Sequence, residues 1–244
     1  MGSCTSSQGP SPEFERPPSG HPSCDRSRRL SRPCKGLVGG TLEPVAAAPR
    51  WLVHGDSVVE GWAASRPHLA WPAVAGRALD VEDVNLGYAG AARGELASAQ
   101  QLASLEADII TIVFGTNCWS RTPHTAGLLY ETTLAFLAAV RTGHPQTPLL
   151  VVSPVRRPDG EATPNALGAT LAQLRDAVER ATRDTLRGGD DRLALLPGAG
   201  LLTPSHLVDG VHPGDEGHAL LARAVAGNLT GNKFLGTIFG KALD

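Results

Sequence analysis

Apolar and polar positions along this chain fall into two rhythms. Short runs at 51–55, 82–86, 108–114, 148–153 and 192–196, all but 82–86 largely apolar and each closed by Gly, Pro or Ser, predict five β-strands. Between them lie longer segments with apolar stripes at helical spacing. Leu129, Thr133, Phe136, Leu137 and Val140 share one face of 124–142. Leu167, Leu171, Leu174, Val178 and Ala181 do the same for 164–187, and Leu220, Leu221, Ala224 and Val225 for 215–228. Such stripes are core-facing surfaces and carry no chemistry. Strand alternating with helix predicts an α/β fold, a parallel sheet covered on both faces. Right-handed crossovers then bring the strand-to-helix loops to the sheet's carboxyl edge, where open α/β sheets bind ligands.

The two ends of the chain break this rhythm. Residues 1–48 hold many Pro and Ser, three of the four cysteines (Cys4, Cys24 and Cys34) and no periodic apolar pattern, so they read as a disordered or loosely attached extension. Residues 49–229 form the expected domain. The tail 230–244 carries Phe234, Leu235, Ile238 and Phe239 at a spacing that would make a short amphipathic helix.

Composition narrows the partners. With 22 basic and 24 acidic residues the formal charge is −2, so no long-range field favours nucleic acid or an anionic membrane. No apolar run reaches the length of an ordinary membrane span, so stable membrane insertion is not expected. Ser27-Arg28-Arg29-Leu30 fails as a twin-arginine signal because Glu43 and Pro44 interrupt the apolar region that should follow. The expectation is a cytoplasmic protein by default, with secretion left open. Four scattered cysteines build neither a disulfide framework nor a zinc site.

The chemistry-bearing residues cluster at the predicted loop edge. The first strand ends in His54-Gly55-Asp56-Ser57, and far downstream stands Asp209-Gly210-Val211-His212-Pro213. A serine hydroxyl becomes a useful nucleophile only when an imidazole takes its proton, and the imidazole needs an acceptor to hold one tautomer. Ser57, His212 and Asp209 supply those three groups, the last two from a single Gly- and Pro-flanked turn. That is the set a serine esterase requires. His54, inside a strand, reads as a packing residue, and His218 as a helix residue without a role. Two more segments end in turns at the same edge: Val84 to Gly90, and the run Ile109 to Phe114 followed by Gly115-Thr116-Asn117.

Taken together, Gly-Asp-Ser at Ser57, Asn85-x-x-x-x-Gly90, Gly115-x-Asn117 and Asp209-x-x-His212 resemble the SGNH hydrolases, also called GDSL esterases and lipases. The resemblance covers about residues 50–228 and rests on four short motifs in the family's order. It implies a three-layer α/β/α sandwich with a central, mostly parallel five-stranded sheet of flavodoxin-like type. It further implies Ser57, Asp209 and His212 as catalytic residues, and the Ser57 and Gly90 backbone amides with the Asn117 side chain as the oxyanion hole. Plainer roles fit the last two as well: a turn glycine and a helix N-cap. No metal or organic cofactor is implied. Where many members carry Asp after the Asn, this chain has Cys118, which reads as a small buried residue rather than a reactive thiol.

The expected activity is hydrolysis of carboxylic esters through an acyl-serine, with a small O-acyl group on a sugar or secondary metabolite as favoured substrate. An acyltransferase using the same chemistry is the main alternative; a lipase or thioesterase, and a non-catalytic binding domain, rank lower. Trp62, His68, Trp71, Tyr88, Trp119, Arg121 and His124 fall near the loop edge, where they would either shape a pocket or be ordinary half-buried residues.

Overall fold

The computed structural model describes residues 47–231. The chain runs β1 (Arg50–Gly55), α1 (Ser57–Glu60), α2 (Trp71–Leu79), β2 (Glu82–Gly87), α3 (Leu96–Ser104), β3 (Ile109–Val113), α4 (Ala126–Gly143), β4 (Leu149–Val152), α5 (Leu171–Arg187), β5 (Leu193–Leu196) and α6 (Asp215–Gly231). All five strands pair in parallel, in the order β2-β1-β3-β4-β5. This is the doubly wound architecture that the strand and helix rhythm predicts. The chain steps from β1 to β2 in one direction and then returns past β1 to β3, so the topological switch point lies at the carboxyl ends of β1 and β3.

Strand periodicity divides the core in two. Leu52, Ile110, Ile112, Leu149, Val151 and Leu193 face α3, α4 and α5, where they meet Leu102, Phe136, Leu137, Leu174 and Val178. Their neighbours Trp51, Val53, Ile109, Leu150 and Val152 face the other way, onto α2 and α6 through Trp71, Ala75, Leu221 and Val225. Because β1, β3 and β4 are buried on both faces, their sequences are apolar at nearly every position. His54 and Thr111 are the buried polar exceptions; the Thr111 hydroxyl accepts the Trp51 indole N–H at 2.9 Å, so the buried ring leaves no unpaired donor.

Helix boundaries differ from the periodic reading in one instructive place. The stripe that predicts a helix from 164 begins only at Leu171. Ahead of it, the Asn165 side chain accepts the Leu167 and Ala169 amides, and Gly168 adopts φ +82°. A Thr170–Gln173 capping box then starts α5. Leu167 consequently sits exposed outside the stripe, while Leu171, Leu174, Val178 and Ala181 are buried as expected. The other two stripes lie in α4 and α6, with Leu220 and Ala224 at the half-buried margin of the latter. Residues 1–46 of the expected extension 1–48, and the tail from 232 with its expected amphipathic helix, lie outside the described residues; 230–231 are the last turn of α6. Among the described residues, no helix is long and apolar enough to cross a membrane.

Candidate active site

β1 enters α1 through a turn that only glycine permits. A Cβ on Gly55 would collide with the Val113 carbonyl oxygen and the Val59 side chain. Asp56 then caps α1, its carboxylate accepting the Val58 amide at 2.9 Å, and Ser57 becomes the first helical residue. Asp56 is almost completely buried, and that burial pushes its carboxyl up to about 6, against the Val58 amide and the charges of His212 and Arg157.

His212 reaches Ser57 from the loop before α6. Its Nε2 lies 2.9 Å from Ser57 Oγ, and its Nδ1 lies 2.7 Å from Asp209 Oδ2. The other Asp209 oxygen accepts the backbone amides of Val211 at 2.9 Å and His212 at 2.7 Å. Desolvation alone would raise the Asp209 carboxyl, but the His212 ring and these two amides outweigh it and hold the group down at about 2. An ionised Asp209 accepts a hydrogen bond from Nδ1–H and so keeps the ring proton on Nδ1, which leaves Nε2 bare to accept the Ser57 hydroxyl. The loop itself is closed by Val208 N–H to His212 O and Gly214 N–H to His206 O.

Gly90 and Asn117 come from the turns after β2 and β3, on either side of β1. Gly90 has φ +71°. Its turn is held at three points: Glu60 accepts the Ala89 amide at 2.7 Å, Arg93 donates to the Gly90 carbonyl, and Asn117 Nδ2 donates to the Ala91 carbonyl at 2.7 Å. Among the described residues, the backbone amides of Ser57 and Gly90 donate to nothing, and Asn117 Nδ2 keeps one hydrogen unused. Asn117 is not a helix N-cap. It sits inside the 3-10 turn Thr116–Cys118, whose cap position is Gly115.

The surrounding residues divide clearly. Trp62 and Tyr88 are exposed, and the Trp62 ring lies 5.5 Å from that of His212. Trp71 is a core residue packed edge-on against Trp51. Trp119 bonds Thr163 O through its indole N–H and lies under the Arg157 guanidinium, whereas His68 and Arg121 are exposed and His124 is half-buried beside Thr122. Cys118 is fully buried, and burial pushes its thiol up to about 12, so it behaves as a small apolar residue. Sequence reasoning missed Glu60, Arg93 and His218. His218 joins α6 to the segment after α1, accepting the Trp71 amide at Nδ1 and donating from Nε2 to Trp62 O. Nothing in sequence spacing marks these three, because each acts across elements. Among the described residues, no group of three His, Cys, Asp or Glu could hold a metal ion.

His54 stacks on Phe136 with ring centroids 5.5 Å apart, and its Nε2 has no hydrogen-bond partner. Burial pushes it down to about 4, against the opposing pull of Glu95. Above the unfolded value of 6.5 the ring is neutral in both states and its titration contributes nothing to stability. As pH falls toward 4, only the unfolded chain takes up the proton, and stability is lost. Replacing it with a non-titrating side chain, His54→Leu, removes that loss. The difference in unfolding free energy between variant and wild type should shift in the variant's favour by about 3 kcal/mol from pH 7 to pH 4, while Asp56 titrates alike in both. Denaturant titrations at several pH values measure it; parallel curves would show that His54 titrates normally.

Fold and site define a three-layer α/β protein with a Ser–His–Asp chain at the switch point of its sheet. The chain belongs to the GDSL-like Lipase/Acylhydrolase family, whose pattern it matches over residues 49–229. No curated protein sequence matches it. Among solved structures it resembles a salicylyl-acyltransferase from a tetracycline biosynthetic pathway, with TM-score 0.67 and 23% identity, covering 75% of this chain and 54% of that one. A family two carbohydrate esterase from Clostridium thermocellum, solved with cellohexaose, gives TM-score 0.64 and 15% identity over 78% of this chain and 66% of that one. A protein from Lactobacillus plantarum gives TM-score 0.64 and 22% identity over 77% and 99%. The chain thus spans about half the acyltransferase's length, and at these identities the likeness is one of fold.

Proposed function

We propose that this protein is a serine esterase that cleaves carboxylic esters through an acyl-serine intermediate. The carrying observation is the continuous hydrogen-bonded line from Ser57 Oγ through His212 to Asp209. Ser57 Oγ attacks the ester carbonyl carbon as His212 Nε2 takes its proton, and Asp209 stabilises the imidazolium that forms. The Ser57 and Gly90 amides and the free Asn117 Nδ2 hydrogen receive the oxyanion. Collapse expels the alcohol with the proton from His212. Water, deprotonated by the same nitrogen, then releases the acid and restores Ser57.

A small acyl group fits the surroundings best. The long connection between β4 and α5 is fastened rather than free: Arg175 binds Pro154 O and the Glu161 carboxylate, and Asn165 binds the carbonyls of Cys118 and His124. Behind the nucleophile, the cavity lined by Asp56, Val58, Trp71 and Leu221 holds only about 20 Å³, room for a water rather than an alkyl chain. Acyl transfer to an alcohol would use the same intermediate, and product analysis with an added acceptor separates it from hydrolysis. Incubation with a fluorophosphonate probe, followed by peptide mapping, should label Ser57 and lose all label in Ser57→Ala. Label on another residue, with ester hydrolysis retained in that variant, would end this reading.

A further inference from the structure

The position of the departing alcohol follows from the proton transfer. When the tetrahedral intermediate collapses, the C–O electron pair goes to the alcohol oxygen, and His212 Nε2–H must lie within hydrogen-bond reach of it, about 3 Å. A large side chain lying across the His212 ring therefore borders the alcohol. Trp62 is that side chain, with its ring centroid 5.5 Å from that of His212 and its plane tilted by 32°. Two of the three oxyanion donors, the Gly90 amide and Asn117 Nδ2, come by contrast from the turns after β2 and β3.

Trp62 is 53% exposed, yet the segment that bears it is not loose. Buried His218 donates to the Trp62 carbonyl at 3.1 Å, and the Asp215 carboxylate accepts both the Ser65 amide at 2.8 Å and its hydroxyl at 2.7 Å. Both anchors belong to α6, which follows directly on the His212 loop. One helix therefore fixes the backbone that carries the indole relative to the loop that carries the imidazole. An indole on an anchored backbone leaves only its two side-chain torsions to order when a flat partner stacks on it.

Resting on the esterase reading above, we propose that Trp62 forms the floor of an alcohol-binding subsite. The preferred ester oxygen is carried by a flat-faced ring, the apolar face of a pyranose or an aryl group, stacked on the indole. The test compares acetate esters that differ only in the alcohol: ethyl acetate, phenyl acetate and a monoacetylated methyl pyranoside. In Trp62→Ala, kcat/KM for at least one ring ester, taken relative to ethyl acetate, should fall about tenfold, chiefly through KM, and Trp62→Phe should restore most of it. The ratio that falls names the ring. Unchanged ratios, or a loss that follows acyl chain length in an ethyl ester series instead, would overturn the proposal. A second readout needs no turnover: free phenol or methyl pyranoside should slow fluorophosphonate labelling of wild-type Ser57 more than ethanol does, and this protection should vanish in Trp62→Ala. Equal protection in the two proteins counts against the subsite, whereas absence of Ser57 labelling in the wild type counts against the esterase reading itself.

Discussion

Ser57→Ala should lower kcat by about 10⁶-fold, the scale on which removing a triad nucleophile acts in other serine hydrolases, and His212→Ala should do nearly the same. The two residues share one hydrogen bond of 2.9 Å and one proton, so neither does its work alone. The double variant should therefore be no slower than either single one, its free-energy costs failing to add by about 8 kcal/mol. Asp209→Ala should cost less, about 10⁴-fold. His212 would keep its place through the bond between its own carbonyl and Val208 N–H, but would lose control of its tautomer. Active-site titration and steady-state kinetics on the four variants decide the matter. Additive losses would mean that Ser57 and His212 act in separate steps.

Most of the fold was legible because the strands are short, the central ones β1, β3 and β4 are buried and apolar, and each strand is punctuated by a turn residue. The start of α5 was not. Leu167 stands four residues before Leu171, so periodicity alone places it on the stripe, but an Asn165 turn diverts the backbone before the helix begins. At the site, Ser57, Asp209 and His212 could be named from chemistry, since few residue types can act as nucleophile, base and orienting acid. Gly90 and Asn117 needed the family resemblance: a turn glycine and an amide are common, and their use depends on loops that meet only in three dimensions. The supports that hold them, Glu60 on the Ala89 amide and Arg93 on the Gly90 carbonyl, leave no trace in spacing at all. Trp62 was visible as an aromatic residue near the loop edge, but its contact with His212 depends on the anchoring of its segment by His218.

Asn117→Ala should lower kcat by about 10² to 10³, equivalent to about 3 to 4 kcal/mol, with a smaller change in KM. The free Nδ2 hydrogen would act on charge that exists in the tetrahedral state and hardly at all in the bound ester, so its loss falls on turnover rather than on binding. A second consequence is built into the geometry. The other Nδ2 hydrogen holds the Ala91 carbonyl at 2.7 Å, and removing it frees one side of the Gly90 turn. That lost hydrogen bond should lower stability by about 1 kcal/mol. Asn117→Asp separates the two effects from simple packing: it keeps the shape of the side chain, offers no amide donor, and sets a negative charge beside the developing oxyanion. It should therefore be at least as slow as the alanine variant. If the side chain served only as a strut for the turn, kcat of the folded enzyme would stay near normal in both variants while the thermal midpoint fell. Measuring kcat, KM and the midpoint on the same preparations distinguishes these patterns, and a near-normal kcat would remove Asn117 from the oxyanion hole.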